Sequence, residues 1–358
     1  MGEASSSGAE SALDRAGALP GVSYVMPVLN EAPYVRAAVE RLLAQDYQGP
    51  YDITLAVGPS TDGTEHVLDQ LAQEHPNVRV VPNPAASTSA GLNAAIRASS
   101  YPIVVRVDAH SLLPPDYTRV AVETLQRTGA DNVGGLMDAR GTTPFEKAVA
   151  RAYRSRIGLG GTQHHVGGKE GPAQTAYLGS FRRDRLEAAG LFDEAVRRGQ
   201  DWELNRRLRA AGGTVWFTPR LVVTYQPRSS IRSLVNQFFA TGMWRGELVR
   251  RFPSANSLRY LAPPVLVVLL AVAIIVGLLG IAGLIIGAPL GWLTVAFAVP
   301  VLYLLFVLAA AFAIGSRDGA AAMLRFVIVV PTIHLSWGVG FIGGFFELSH
   351  DLHSRSGR

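Results

Sequence analysis

The sequence predicts an α/β fold built on a mostly parallel sheet, followed by C-terminal membrane-spanning helices. Three observations predict it. Apolar runs of strand length alternate with amphipathic stretches from residue 21 to about residue 139. From Tyr260 to Ser316 there are 57 residues without a charged side chain. Charge is also divided unevenly along the 358 residues: 1–150 carry 10 basic and 17 acidic side chains, 151–260 carry 19 and 8, and 261–358 carry 4 and 3, so the net +5 conceals three regions of different character. With 48% hydrophobic and only 17% charged residues, against about 25% charged in a usual soluble domain, a disordered chain is excluded. There is no cysteine, which excludes disulfides and thiolate metal sites.

Residues 1–20 are rich in Ser, Ala, Gly and Glu without periodicity and read as a disordered leader. Val22–Val28 is an apolar strand. Residues 34–45 carry Val35, Ala38, Val39 and Leu42 at helical spacing. A second strand covers 53–57, a helix starts at Thr64, a third strand covers 78–81, a helix covers 89–98, and a buried strand covers 103–107. This βαβα order predicts parallel strands with helices on both faces. Ligands of such sheets bind at the carboxyl ends of the strands, which directs attention to the loops after Val28, Val57 and Val107. The domain spans 21–225, with one half at about 21–140 and the other at about 141–225.

Residues 226–259 interleave Ile231, Leu234, Val235, Phe238, Phe239 and Met243 with Arg228, Arg232, Arg245, Arg250 and Arg251. That pattern suits amphipathic basic helices lying on an anionic membrane surface. The charge-free run is too long for one crossing of about 20 residues and right for two, placed at about 263–285 and 293–314 around the Gly287–Gly291 turn. Residues 326–346 are a third candidate, interrupted by Pro331 and His334, for which a spanning and a re-entrant arrangement both stay open. The membrane domain is thus 260–348, with a tail at 349–358. Arginines before the first span and in the 316–325 loop place the N-terminal domain in the cytoplasm, on a multi-pass protein of the inner (plasma) membrane.

Four segments carry candidate chemistry. Residues 26–31 (MPVLNE) join a strand to a helix and alone read as a plain loop capped by Asn30. Residues 58–64 (GPSTDGT) alone read as an Asx-type turn. Asp108-Ala109-His110 follows a buried strand, and a carboxylate two residues from an imidazole suits Mn²⁺ or Mg²⁺ beside a diphosphate; a strand-end loop with a solvated Asp is the other reading. Asp201 opens the helix in 199–205 (GQDWELN), where an acid either stabilises the helix start or serves as a general base.

In this order and spacing the four segments resemble the family 2 glycosyltransferases of GT-A fold, a Rossmann-like architecture that binds nucleotide-diphospho-sugars. The resemblance is greatest to the membrane-attached group of succinoglycan (exopolysaccharide) biosynthesis, and extends through "GLFDE", "ELNRRLRAAGG" and "PRSSIRSLVNQFFATGMWR". It covers about 21–260. It implies an inverting, metal-dependent hexosyltransferase that uses Mn²⁺ or Mg²⁺ to move a sugar from a nucleotide donor, a UDP-sugar by preference, to a lipid-linked or membrane-proximal glycan. By the same resemblance Pro27, Asn30, Glu31, Asp62 and Asp108 line the donor pocket. Asp108 and His110 hold the metal, and Asp201 is the catalytic base. Gly179, Ser180, Gln200, Gln237, Trp244 and Arg245 belong to the acceptor and diphosphate side.

One departure is that Val57 stands where such families place a base-recognising Asp. Two further functions follow. A polyprenyl-phosphate sugar synthase would use the lipid phosphate itself as acceptor. A non-catalytic membrane scaffold on a degenerate transferase fold finds its support in Val57, and retention of Asp62, Asp108, His110 and Asp201 opposes it. The basic balance points to membrane lipid and diphosphate, not to nucleic acid.

Overall fold

The computed structural model of the chain describes residues 18–253, 258–315 and 319–348. The expected tail, nearly all of the expected leader and residues 316–318 of the expected cytoplasmic loop lie outside the described residues. The chain divides into two compact units, one of residues up to Asp138 with Gly167–Tyr225, the other of Ala139–Val166 with residues from Gln226 on. The second half of the expected transferase domain, 141–225, is therefore split, and 139–166 joins the unit that holds the membrane helices.

The strands are β1 (Val22–Val28), β2 (Tyr51–Val57), β3 (Val78–Pro82), β4 (Ile103–Arg106), β5 (Asn132–Ala139), β6 (Gly171–Pro172), β7 (Tyr177–Arg182) and β8 (Val215–Tyr225). They form one sheet in the order β3-β2-β1-β4-β7-β5-β8-β6. The first four are parallel, while β7 runs antiparallel to both β4 and β5. The helices of this unit are α1 (Val35–Leu43), α2 (Thr64–Glu74), α3 (Thr88–Ala98) and α4 (Tyr117–Thr128), with α8 (Arg183–Ala188) and α9 (Gln200–Ala210) further along the chain. All seven residues of β1 are buried, as expected of a parallel strand covered on both faces. Tyr24, Met26, Ile53, Leu55 and Val105 pack with Val35, Val39, Leu68 and Leu71 on one face. Val25, Ala56, Val104 and Phe181 pack with Leu92, Ile96, Leu204 and Leu208 on the other.

Pro27 sits inside this central strand at little cost. Val28 O accepts from Gly58 N at 2.8 Å, so Val28 faces β2. Alternation then turns Pro27 toward β4, whose pairing with β1 has already ended at Val25↔Arg106. The divergence of β1 and β4, where the strand order reverses direction, opens the crevice in which ligands of such sheets bind. Across the sheet, a Cβ at Gly135 would lie 1.8 Å from Leu221 O, so only glycine lets β8 pass that close.

In the second unit, α5 (Pro144–Tyr153) is held by a capping box between Thr143 and Glu146. Two single-turn helices follow, α6 (Arg156–Leu159) and α7 (Gln163–Val166). The basic segment is one helix, α10 (Ile231–Arg251). After it come α11 (Ala262–Ile286), α12 (Ala298–Gly315) and α13 (Ala320–Phe345), the first two preceded by short 3₁₀ turns at Leu258–Leu261 and Gly291–Phe297. Three helical segments, Leu258–Ile286, Gly291–Ile314 and Ala320–Phe345, are long and apolar enough to cross a membrane. The third is one helix through Pro331, starting six residues before the expected position. One residue past the proline, Thr332 Oγ1 donates to Ile328 O at 2.8 Å, a side-chain bond back to the helix's own backbone. Glycines let α10 and α13 interlock: Gly242 and Gly246 lie against the backbone of Trp337 and Phe341, and Gly340 and Gly344 against that of Phe239 and Met243. His334 ties the unit together, with Nε2 2.8 Å from Ile157 O and Nδ1 3.0 Å from the Tyr303 hydroxyl. A carbonyl only accepts, so Nε2 carries the proton and Nδ1 accepts from Tyr303.

Candidate active site

The site is built at the carboxyl ends of β1, β2 and β4 and at the start of α9. The first two loops are stitched to each other. Asn30 adopts φ 55°, its N–H donates to Ser60 Oγ at 3.0 Å, and its side-chain oxygen accepts from Thr61 N at 2.8 Å. Asn tolerates this left-handed backbone better than most residues. Glu31 N donates to Thr64 Oγ1 at 2.9 Å. Asp62 accepts from Ala32 N at 3.1 Å and from both the N–H and hydroxyl of Thr64. The Thr64 hydroxyl, with the backbone N–H groups, holds the Asp62 carboxyl below the usual carboxylate range. Asp62 thus fixes the two loops to each other, and Pro27 is buried.

At the end of β4, the Arg106 guanidinium donates through Nε and Nη2 to Asp108 Oδ1 at 3.3 and 3.1 Å. Its Nη1 donates to Asp201 Oδ1 at the start of α9. The Arg106 side chain is only 6% exposed, so this is a buried cation between two carboxylates. Burial alone would weaken its hold on the proton, but the charges of Asp108 and Asp201 outweigh burial and keep it cationic. Burial raises the Asp201 carboxyl above its ordinary range; Asp108 adds to the rise and Arg106 opposes it. Tyr177, at the start of β7, is kept protonated by burial and by the nearby Asp108 charge. His110 stands exposed with Nδ1 3.6 Å from Glu31 Oε1. The structure therefore brings Asp108 with Asp201, and Glu31 with His110.

The residues after Asp201 anchor it. Glu203 is buried and paired with Arg206 at 3.1 Å and Arg207 at 2.8 Å. Arg207 in turn donates to the carbonyls of Ala189 and Leu191. Asn205 joins Asn132 at 2.7 Å and Thr175 Oγ1 at 3.0 Å. Trp202 and Leu204 are buried. Of the residues expected on the acceptor side, Gln200 is half-buried beside Asp201, whereas Gly179 and Ser180 are buried within β7. Gln237, Trp244 and Arg245 belong to α10 in the other unit. There Gln237 Oε1 accepts from Arg228 at 3.3 Å, Trp244 is buried, and the Arg245 guanidinium lies 4.3 Å from the centre of the Tyr260 ring.

Sequence reasoning missed Arg106 and Tyr177. The available signal for Arg106 was a lone charge inside an otherwise apolar strand. Among the described residues no group of three or more His, Asp or Glu side chains converges as a ready-made metal cage. Asp108 and His110, a carboxylate and an imidazole two residues apart, are residue types that a divalent cation takes as ligands; here Asp108 faces Arg106 and His110 faces Glu31.

The family described as "Glycosyltransferase like family 2" matches residues 20–243. The succinoglycan biosynthesis protein ExoA of Rhizobium meliloti is 32% identical over 324 residues, covering 88% of this chain and 92% of that protein. A dolichyl N-acetyl-α-D-glucosaminyl phosphate 3-β-D-2,3-diacetamido-2,3-dideoxy-β-D-glucuronosyltransferase of Methanococcus voltae is 26% identical over 240 residues, 64% of this chain and 74% of that one. Among solved structures, the mannosyltransferase PcManGT of Pyrobaculum calidifontis, in complex with GDP-Man and Mn²⁺, superposes with a TM-score of 0.59 at 20% identity, covering 92% of this chain and 88% of that chain, a likeness of fold.

Proposed function

Because the chain belongs to glycosyltransferase-like family 2 and is a glycosyltransferase, we propose that it transfers a hexose, with inversion, from a UDP-sugar to a lipid-linked or membrane-proximal glycan in polysaccharide or glycolipid assembly. The carrying observation is the Asp108–Arg106–Asp201 constellation, which puts a candidate base beside a candidate donor-binding carboxylate at the carboxyl end of β4. Pro27, Asn30 and Glu31 line the nucleotide pocket, with Asp62 fixing its wall. Asp201 accepts the proton of an acceptor hydroxyl. The hydroxyl oxygen attacks the anomeric carbon, the bond from that carbon to the diphosphate oxygen breaks, and the electron pair leaves with the nucleotide diphosphate. Attack opposite the leaving group inverts the anomeric centre. Burial that raises the Asp201 carboxyl moves it closer to the pKa at which a general base works best at neutral pH. A divalent cation, Mn²⁺ or Mg²⁺, held by Asp108 and His110, supplies charge neutralisation to the departing diphosphate; the Mn²⁺ of the Pyrobaculum structure supports this reading.

Three helices able to span a membrane and the basic helix α10 support attachment to the plasma membrane with the transferase unit on the cytoplasmic side. Transfer to the phosphate of a polyprenyl lipid is the second reading. Its support is the pair Arg245 and Arg259, both stacked on Tyr260, at 4.3 and 5.0 Å, where an anionic headgroup would find cations. The test is a donor screen. Membranes containing the chain are incubated with labelled UDP-, GDP- and dTDP-sugars and Mn²⁺, and label is followed into the lipid fraction. UDP-sugar label entering lipid, abolished by Asp201→Asn, is the expected result. Transfer from none of the donors overturns the proposal, and the mass of the product separates a sugar phosphate lipid from an extended glycan.

A further inference from the structure

We infer that Arg106 is a positioning residue, holding the base Asp201 at a fixed distance from the donor-side carboxylate Asp108 so that acceptor activation and leaving-group binding are in register. The inference rests on the reading of Asp201 as base. Three features of the structure support it.

First, the position is one where an apolar residue would be expected. Arg106 ends the strand Ile103-Val104-Val105-Arg106, all buried, and pairs in register with Val25 of the central strand. A buried guanidinium is costly unless its charge and N–H groups are matched, and a well-packed apolar side chain would serve stability as well. The demand for an arginine therefore comes from the carboxylates it meets.

Second, the two carboxylates come from distant parts of the chain, with Asp201 95 residues from Arg106. Asp108 lies on the donor side of the crevice, two residues along the same strand end. Asp201 sits on α9, whose start is set by the left-handed Gly199 at φ 79° and whose body is bolted down through Glu203 and Asn205. Arg106 is the link that fixes the remaining degree of freedom, the rotation of the Asp201 carboxylate.

Third, the fork is used in a divided way. Nε and Nη2 serve Asp108, and Nη1 serves Asp201 Oδ1. Taking Oδ1 of Asp201 orients Oδ2 as the oxygen for the acceptor proton. A rigid planar guanidinium has separate donors for two partners; an ammonium is a single point and holds one geometry less firmly.

The experiment uses the full chain purified in detergent, with Arg106→Lys and Arg106→Gln. Three quantities are read: binding of UDP and GDP by calorimetry, kcat and KM in the transfer assay, and Tm in a double-mutant cycle with Asp201→Asn. Arg106→Lys is expected to keep nucleotide binding within about threefold and to lose on the order of 100-fold in kcat with little change in acceptor KM, the usual consequence of a misplaced catalytic group. Arg106→Gln is expected to lower Tm, and adding Asp201→Asn should restore part of that loss, since one unmatched carboxylate has gone. Wild-type kcat in Arg106→Lys overturns the inference. So does a loss of kcat in proportion to a loss of nucleotide binding and Tm, which marks a purely structural residue. A wild-type chain inert with every donor would overturn the proposed function instead, and the Tm cycle would still decide whether Arg106 is coupled to Asp201.

Discussion

A Cβ on Gly246 of α10 would fall 2.2 Å from the carbonyl oxygen of Phe341 on α13, closer than real Cβ atoms approach backbone. The basic helix and the third membrane helix are therefore in backbone contact. Gly246→Val forces them apart, and overpacking of this kind costs about 1–3 kcal/mol or more. Thermal unfolding of the detergent-solubilised chain should show a clearly lower Tm for Gly246→Val. Gly343→Ala, where a Cβ meets nothing within 4 Å, should leave Tm unchanged.

Asp62 couples the loops after β1 and β2 through Ala32 N and Thr64, so Asp62→Ala loosens their junction while the ties of Asn30 and Glu31 remain. Donor KM is expected to rise about tenfold with a smaller change in kcat, as positioning of bound substrate is lost. The pH dependence has a definite sign. The folded-state carboxyl is held below its ordinary pKa, so its contribution to stability is present above about pH 4 and is lost as pH falls through the lowered value. Melting curves between pH 3 and 7 should therefore show the wild type and Asp62→Ala converging in Tm at the acid end.

The parallel half of the fold was legible because each buried strand is an apolar run and each covering helix carries its apolar positions on one face. The loops after Val28, Val57 and Val107 were legible for the same reason, since topology alone puts the carboxyl ends of parallel strands together. Arg106 was not legible, because a reading by apolar runs absorbs one charge into the strand 103–107 and has no means of seeing a carboxylate 95 residues away. Glu203 and Asn205 look like motif residues, yet their partners, Arg207 and Thr175, make them the fastening of α9. Residues 139–166 were grouped with their sequence neighbours, while their partners are remote: His334 reaches the carbonyl of Ile157, and Phe238 packs edge-on against Tyr153.

Asp201→Asn removes the proton acceptor without removing the hydrogen-bonding shape. A loss of about 10²–10⁴-fold in kcat is expected, the usual contribution of a general base, with UDP affinity retained. The base works only when deprotonated, and burial raises its pKa, so the acid limb of the wild-type kcat/KM profile should lie above the value of about 4 typical of an exposed Asp. A profile flat down to pH 4 would show that Asp201 does not carry the proton.

Arg245 and Arg259 share the ring of Tyr260, which also stacks on Trp337 at 6.5 Å. His164 and His165 lie in the field of these arginines, their rings 4.2 Å apart. Burial, and after it the charges of Arg259 and Arg245, together push His164 down to about 4. At neutral pH the cluster is thus two guanidinium ions beside two uncharged imidazoles, an arrangement that an anionic headgroup would relieve. Cation–π contacts at such sites contribute about 0.5–2 kcal/mol each, so Tyr260→Leu should weaken the cluster by that order without removing a charge. Arg245→Gln with Arg259→Gln should raise the KM for a lipid acceptor about tenfold and leave hydrolysis of the donor by water unchanged. Nanodiscs with and without phosphatidylglycerol provide the measurement. If the double variant responds to anionic lipid as the wild type does, the cluster has no part in meeting the membrane, and the acceptor must be held by other residues.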